Sequence, residues 1–130
     1  MSILQTLPYA QFLGLREETD EQGRLVVMPF QPMLIGNPVL PALHGGATAA
    51  MLELTAIAQA AAAFPAERLP KPINVTVAYL RSGRAVEVRA RARIGKAGRR
   101  VAHVVAEAWQ EDEAQPIASL TAHFLLGADT

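Results

Sequence analysis

The segment that most constrains the fold is a long apolar run from Gly46 to Phe64, with the sequence GATAAMLELTAIAQAAAAF. Ala, Leu, Met, Glu and Gln are strong helix formers, and Pro65 ends the run because proline cannot continue a helix. The run therefore predicts one α-helix of roughly 27 Å, at about 1.5 Å per residue. Because nearly every face of this helix is apolar, we expect it to be buried.

The sequence on either side of this helix is typical of antiparallel β-structure. Before it, the pattern predicts a short helix from Pro8 to about Leu13, strands at 15–19 and 24–30, and a loop without regular structure over 31–43. After it, strand-forming runs separated by turns at 82–83, 95–98 and 111–113 predict a four-stranded meander with strands at 73–81, 86–94, 101–109 and 117–126. Alternation of apolar and charged residues is clearest in the strand at 86–94. The predicted class is α+β, with one long central helix, a short N-terminal helix and an antiparallel sheet of about six strands.

Composition narrows the classes of protein to which this chain can belong. The 130 residues contain 12 Lys and Arg, 12 Asp and Glu and no Cys, which excludes a disulfide scaffold, a Cys-ligated metal site and a Cys nucleophile. The length predicts a single domain over residues 1–130. The N-terminus lacks the pattern of a signal peptide, and no apolar stretch reaches the ~20 residues of a membrane span, so we expect a cytoplasmic protein.

One carboxylate stands alone in the apolar helix. Glu53 is the only Asp, Glu, Lys or Arg between Arg24 and Glu67, and a buried carboxylate is costly unless it has a partner. One interpretation is an ion pair or a hydrogen bond with the basic strands that follow. The other is a catalytic base or nucleophile, for which enzymes commonly use a buried carboxylate.

His44, Gly45 and Gly46 lie at the start of the helix. Glycine lets a ligand approach the backbone closely, and free N–H groups at a helix N-terminus lie at the positive end of the helix dipole. Such N–H groups stabilise a developing oxyanion. A plain glycine cap of the helix is the alternative interpretation.

Gly45 and Glu53 are too far apart in one chain to act on the same atom. Eight positions along a helix correspond to ~12 Å, whereas a nucleophile and an oxyanion donor both lie ~3 Å from the reacting carbonyl. Two helices side by side in a symmetric dimer remove this conflict if both residues serve the same site. A single sheet also covers only one side of an apolar helix, so we expect a homodimer or a tetramer of two dimers.

The segment LHGGATAAMLE, Leu43 to Glu53, resembles the signature of the hotdog-fold acyl-CoA thioesterases of the phenylacetate-pathway (PaaI-like) type. The segments FLGL (12–15), INVTVAYLRSG (73–83) and RIGKAGRRVAHVVAEAW (93–109) resemble the start, the strand after the helix and the Gly-Arg hairpin of the same family. The resemblance covers nearly the whole chain. It implies a hotdog fold, in which the sheet wraps around the central helix.

The resemblance also implies roles for individual residues. The Gly45 N–H, with Gly46 next to it, would polarise the thioester carbonyl, and Glu53 would activate water or attack directly. Asn37 is the candidate for orienting the carboxylate or the water, and the position of His44 beside a helix start favours a structural role over a catalytic one. The implied substrate is an acyl-CoA, hydrolysed without a metal or a covalent cofactor.

Residues 68–100 carry ten Lys and Arg against one acidic residue, Glu87. Basic residues around the turns of this stretch are candidates for binding the phosphates of coenzyme A: Arg81, Arg84, Lys96, Arg99 and Arg100. The alternative is a solvated sheet face, partly neutralised by the acidic turns at 17–21 and 111–113. No interleaved aromatic residues are present for base stacking, so a nucleic acid is not an expected partner. A membrane is not expected either, because no apolar stretch is long enough to span one.

The sequence does not exclude two other functions. Hotdog dehydratases and hydratases resemble the loop from Gly36 to Pro41, but they place a His where this chain has Asn37, and without that His an elimination lacks an evident base. A non-catalytic acyl-CoA-binding module is the other function. Glu53 argues against it, because a pure binder has no reason to bury a carboxylate.

Overall fold

The computed structural model describes residues 2–126; Met1 and residues 127–130 lie outside this range, so the single domain over 1–130 stays a prediction. The chain forms two helices, α1 (Pro8–Leu13) and α2 (Gly45–Ala63), and two 3-10 turns, Ile3–Thr6 and Pro32–Leu34. Its strands are β1 (Arg16–Asp20), β2 (Gly23–Met28), β3 (Ile35–Asn37), β4 (Ala42–Leu43), β5 (Lys71–Tyr79), β6 (Val88–Ala97), β7 (Val101–Trp109) and β8 (Ala118–Leu125).

α2 is the central element, and the predicted long helix is confirmed. It begins after the N-cap His44 and ends before Phe64 and Pro65. On its sheet side, Met51 and Leu52 are fully buried against a core in which β6, β7 and β8 contribute mainly alanines. These small side chains let the helix lie close to the sheet. No helix in the described part of the chain is long and apolar enough to cross a membrane.

The side of α2 that faces away from the sheet is only partly covered by the rest of this chain. Ala50, Glu53 and Ile57 follow one another at spacings of three and four residues, so they share one face, and all three are only half-buried. We call these three residues the open face of α2. In a single chain the helix is therefore fully buried on the sheet side alone, as expected if one sheet covers one side.

Six strands form one antiparallel sheet in the order β1-β2-β6-β7-β8-β5. The predicted four-stranded meander is wrong in one pairing, because β5 lies beside β8, with Tyr79 opposite Ala118. The free edge of β6 is occupied by β2, where Val26 lies opposite Ala90. Residues 80–87 therefore cross from the edge strand β5 past β8 and β7 to β6, instead of making the predicted two-residue turn.

Two local predictions are also corrected. The segment 31–43 is not a structureless loop, because it contains a 3-10 turn and the two-stranded sheet β3-β4; its prolines begin the 3-10 turn or lie between the two strands. The predicted turn at 95–98 begins later, because β6 runs to Ala97 through a register shift at Gly95. A Cβ on Gly95 would lie 2.8 Å from the His103 Nδ1, so any larger residue at this position would displace the His103 ring.

Candidate active site

The first turn of α2 leaves one backbone donor free. The Gly46 N–H donates to the Nδ1 of the N-cap His44 at 2.9 Å. The N–H groups of Ala47 and Thr48 donate to the His44 carbonyl, at 3.1 and 3.4 Å. The bond from Thr48 is the first regular bond of the helix, and the four N–H groups before it lack such a partner. Of these four, the His44 N–H donates to the Leu34 carbonyl at 2.7 Å, and only the Gly45 N–H has no acceptor among residues 2–126. It lies at the positive end of the helix dipole.

The sequence gives the N–H groups of Gly45 and Gly46 the same role, but the His44 ring makes them different. Its ring nitrogen already accepts from Gly46, which leaves the Gly45 N–H as the donor available to a ligand. A neutral imidazole that accepts through Nδ1 carries its proton on Nε2. The structural role of His44 beside a helix start is therefore present in the fold as a side-chain cap.

Neighbouring groups pack closely against this first turn at two points. A Cβ on Gly36 of β3 would lie 2.8 Å from the His44 Cα, and a Cβ on Gly45 would lie 3.2 Å from the Tyr79 ring. The Tyr79 hydroxyl donates to the Gly45 carbonyl at 2.9 Å. Tyr79 is not among the residues predicted from the sequence, where its one signal is its place at the end of the strand after the helix.

A cleft of about 380 Å³ opens beside the first turn of α2. Gly45 and Thr48 form one wall, and Tyr79 with the crossover segment from Leu80 to Gly83 forms another. A larger cavity of about 640 Å³ lies at the C-terminal end of α2, and none of the predicted site residues lines it. The cleft is therefore the candidate site.

Glu53 lies on the open face of α2, ~12 Å along the helix axis from Gly45. It is half-buried and makes no hydrogen bond or ion pair with any residue from 2 to 126. The ion pair with the basic strands, one of the two interpretations of this residue, is not formed. Its carboxylate stands instead between Ala50 and Ile57, one turn away on either side.

Asn37 lies at the end of β3, next to the Gly36 that contacts His44. Its Oδ1 accepts hydrogen bonds from the N–H groups of Val39 and Leu40, at 3.1 and 3.4 Å. The oxygen therefore shapes the loop before β4, and the amide nitrogen is the part of the side chain left for a ligand. No hydrogen bond joins Asn37 to Glu53 within the described chain.

The candidate phosphate-binding cations fall into two groups at opposite ends of the sheet. Arg81 lines the cleft and donates to the Pro116 carbonyl at 2.7 Å, and Arg84 nearby forms an ion pair with Glu111. The other three lie at the β6-β7 hairpin, roughly 25 Å away along strands that rise ~3.3 Å per residue: Lys96, Arg99 and Arg100. One chain does not bring the two groups together.

Arg91 shows that part of the basic charge stabilises the fold. Its guanidinium donates to Asp20 at 2.7 Å and to Glu113 at 2.9 Å, and it lies 5.6 Å from the Trp109 ring centroid. The hydrogen bond from Arg91 lowers the pKa of Asp20, and the hydrogen bonds to Asp20 and Glu113 raise the pKa of Arg91. Acidic turns thus partly neutralise the basic strands, as the alternative interpretation expected.

We expect Asp20→Asn to lower the urea midpoint of unfolding at pH 7 and to flatten its fall in acid. The hydrogen bond from Arg91 holds the pKa of Asp20 below its usual 3.8. The carboxylate therefore stabilises the folded state above that pH, and this contribution is lost as the pH falls through the lowered pKa. Glu21→Gln, in the same turn, is the matched control and should keep the wild-type profile. Equal acid profiles for Asp20→Asn and wild type would contradict this role.

Comparison with known proteins places the chain in a family. Residues 37–125 match the family described as the acyl-CoA thioesterase N-terminal domain. A search of the curated proteins finds no match. Among solved structures, a protein from Chromobacterium violaceum is 36% identical, with 98% of this chain and 89% of that chain covered and a TM-score of 0.78.

Two more distant structures share the fold. A phenylacetic acid degradation-related protein from Ralstonia eutropha is 24% identical, with 95% of this chain and 96% of that chain covered and a TM-score of 0.81. A Bacillus halodurans protein solved with CoA is 23% identical, with 97% of this chain and 85% of that chain covered and a TM-score of 0.81. From its six-stranded sheet around one long helix and its match over residues 37–125, we conclude that the chain has the hotdog fold and belongs to the acyl-CoA thioesterase family.

Proposed function

We propose that this protein hydrolyses an acyl-CoA thioester to a free acid and CoA, in a site shared by two copies of the chain. The observation that carries the proposal is the Gly45 N–H, the one first-turn donor of α2 without an acceptor in the described residues. A fixed donor at the positive end of a helix stabilises the oxyanion that forms when a thioester carbonyl is attacked. Family membership supports the choice of a CoA thioester as substrate.

Glu53 supports a shared site. Its carboxylate is half-buried among apolar side chains, yet it has no partner between residues 2 and 126. It is ~12 Å along α2 from the Gly45 of its own chain, which is too far for both groups to reach one carbonyl. A second α2, packed on the open face, brings the partner's Glu53 beside Gly45.

The edge strand β5 supports the geometry of this dimer. It has nine residues, and its Ile73 and Tyr79 side chains are 54% and 58% exposed. A long apolar edge strand tends to pair with another chain. Antiparallel pairing with the β5 of a second copy extends the sheet and buries Ala50 and Ile57 between the two α2 helices. Such a dimer acts alone or as half of a tetramer.

The same symmetry joins the two groups of cations. A twofold axis at β5 reverses the partner's sheet, so the partner's β6-β7 hairpin meets the end where Arg81 and Arg84 lie. The partner's β6-β7 hairpin carries three positive side chains to that end of the sheet, those of Lys96, Arg99 and Arg100. We propose that these five residues bind the phosphates of CoA, for which guanidinium and ammonium groups are suited.

The chemistry needs only these groups and water. As the carbonyl is attacked, the Gly45 N–H donates to its oxygen, and the partner's Glu53 takes a proton from the water whose oxygen bonds to the carbonyl carbon. The C–S bond then breaks, and the CoA thiolate takes that proton back. In the second route, an oxygen of the partner's Glu53 attacks first, and the thiolate leaves and takes a proton from water. The hydroxide so formed attacks the acyl–Glu53 anhydride and releases the free acid and the Glu53 carboxylate.

The remaining site residues support this chemistry. His44 holds the first turn through its bond from Gly46, and a Cβ on Gly46 would lie 3.0 Å from the His44 ring, so glycine makes room for the cap. The amide nitrogen of Asn37 is available to orient the water or the carboxylate. No metal and no covalent cofactor takes part in the proposed reaction.

A panel of CoA thioesters tests the proposed function. It contains short, long and aromatic acyl groups, including phenylacetyl because of the phenylacetate-type resemblance, and a thiol reagent follows the release of CoA. The chain has no Cys, so the protein itself gives no thiol signal. We expect turnover of at least one member at about 1 s⁻¹ or faster. Hydrolysis of none contradicts the proposal.

Other outcomes of the panel identify the rival functions. Hydration of a 2-enoyl-CoA without thiol release would favour the dehydratase or hydratase. Saturable CoA-thioester binding without turnover would favour the binding module. The cytoplasmic location stays a prediction from the sequence.

A further inference from the structure

We infer that Tyr79 is a positioning residue of this site, an inference that rests on the proposed function. Its hydroxyl donates to the Gly45 carbonyl at 2.9 Å, and the His44 Nδ1 accepts from the Gly46 N–H at 2.9 Å. These two hydrogen bonds meet the two ends of one peptide group, the one that joins Gly45 to Gly46. Two side chains from distant parts of the sequence therefore hold a single peptide.

This peptide is one that needs to be held. Two successive glycines have more backbone freedom than other residue pairs, and the start of a helix lacks the intrahelical hydrogen bonds that restrain its interior. Ordering such a segment costs conformational entropy. Contacts made before substrate arrives remove that cost from the reaction, because the donor is already in place.

The direction of the Gly45 N–H depends on this restraint. The N–H belongs to the preceding peptide, whose carbonyl on His44 accepts from Ala47 and Thr48. The two dihedral angles of Gly45 are the only joints between that peptide and the one held by Tyr79. With both peptides held, the free N–H keeps one direction.

The surroundings of Tyr79 fit this role better than a role in the core. The side chain is 58% exposed at the end of β5, and its ring lies against Gly45, 3.2 Å from the position of a Cβ there. The ring also borders the cleft. Tyr79 thus contacts Gly45, the residue of the candidate oxyanion donor. It acts on the Gly45 N–H indirectly, through its hydrogen bond to the Gly45 carbonyl.

Tyr79→Phe tests the inference in the full chain, because it removes the hydroxyl and keeps the ring. We expect kcat for the best thioester to fall about tenfold with KM within about twofold, since one neutral hydrogen bond is lost and the donor itself remains. Tyr9→Phe is the matched control, because Tyr9 is an exposed tyrosine on α1 whose ring stacks on Phe12. Its kinetics should equal those of wild type. Light scattering checks that both variants keep the wild-type assembly.

Amide hydrogen exchange supplies a readout that does not depend on activity. We expect the Gly46 N–H to exchange about fivefold faster, or more, in Tyr79→Phe than in wild type, because the peptide is held at one end only. A lower kcat with unchanged exchange would overturn the positioning role, since the hydroxyl would then act on the substrate. Unchanged kcat and exchange would overturn it as well. If the wild type hydrolyses no thioester, the proposed function fails, and exchange alone decides whether Tyr79 holds the peptide.

Discussion

Glu53→Gln is expected to lower kcat for thioester hydrolysis by about 10³-fold, because glutamine neither accepts a proton from water nor attacks a carbonyl. Glutamine has nearly the same shape as glutamate, so the packing of α2 is retained. Glu53 makes no hydrogen bond or ion pair within residues 2–126, so the substitution leaves no partner of this chain unsatisfied. The thermal midpoint and the oligomeric state should therefore match those of wild type.

Steady-state kinetics with the best substrate of the panel measures this effect. Glu67→Gln is the matched control, because Glu67 is an exposed carboxylate just beyond the same helix, and it should retain wild-type kcat. Glu53→Ala should lose as much activity as Glu53→Gln. Full activity in either Glu53 variant would rule out both routes proposed for the carboxylate.

Gly45→Pro is expected to lower kcat by about 10²–10³-fold, the usual effect of removing one oxyanion donor. Gly45 is the first residue of α2, and proline is favoured at that position because the helix does not use its N–H. His44 is already extended, with φ −68° and ψ 128°, the conformation preferred before proline. The substitution therefore removes the candidate donor and keeps the helix.

Gly45→Ala separates the lost N–H from the added side chain. It keeps the N–H, but its Cβ lies 3.2 Å from the Tyr79 ring, so it carries the steric part of the proline substitution. We expect a loss of activity smaller than that of Gly45→Pro by at least about tenfold. Equal losses in the two variants would show that the Gly45 N–H is not the donor. Circular dichroism checks that both variants keep their helix content.

Local signals predict the elements of this fold well. Proline at the start and glycine at the end define α1, helix formers and Pro65 define α2, and the turns on either side define β7, each with limits within about one residue of those observed. The neighbour of β5 is not a local property. The neighbour of β5 depends on which strand edge is free after β2 has paired with β6. The predicted meander therefore placed β5 beside the wrong strand.

In the site, too, local signals predict the residues, and the fold decides how they are arranged. Residue types and spacing single out His44, Gly45 and Glu53, but they do not say which glycine N–H is free. That depends on the direction of the His44 ring. Tyr79 is 34 positions from Gly45, so only the fold brings the two together. The separation of the cations at the two ends of the sheet likewise requires the topology.

Mixed dimers test whether Gly45 and Glu53 of different chains form one site. Glu53→Gln and Gly45→Pro chains are each nearly inactive alone; they are unfolded together, refolded at equal amounts and assayed. If the site is shared, each mixed dimer contains one intact site, and random pairing restores about a quarter of wild-type kcat per chain. If both residues act within one chain, every site keeps one defect, and a mixture as inactive as its two parents would rule out the shared site.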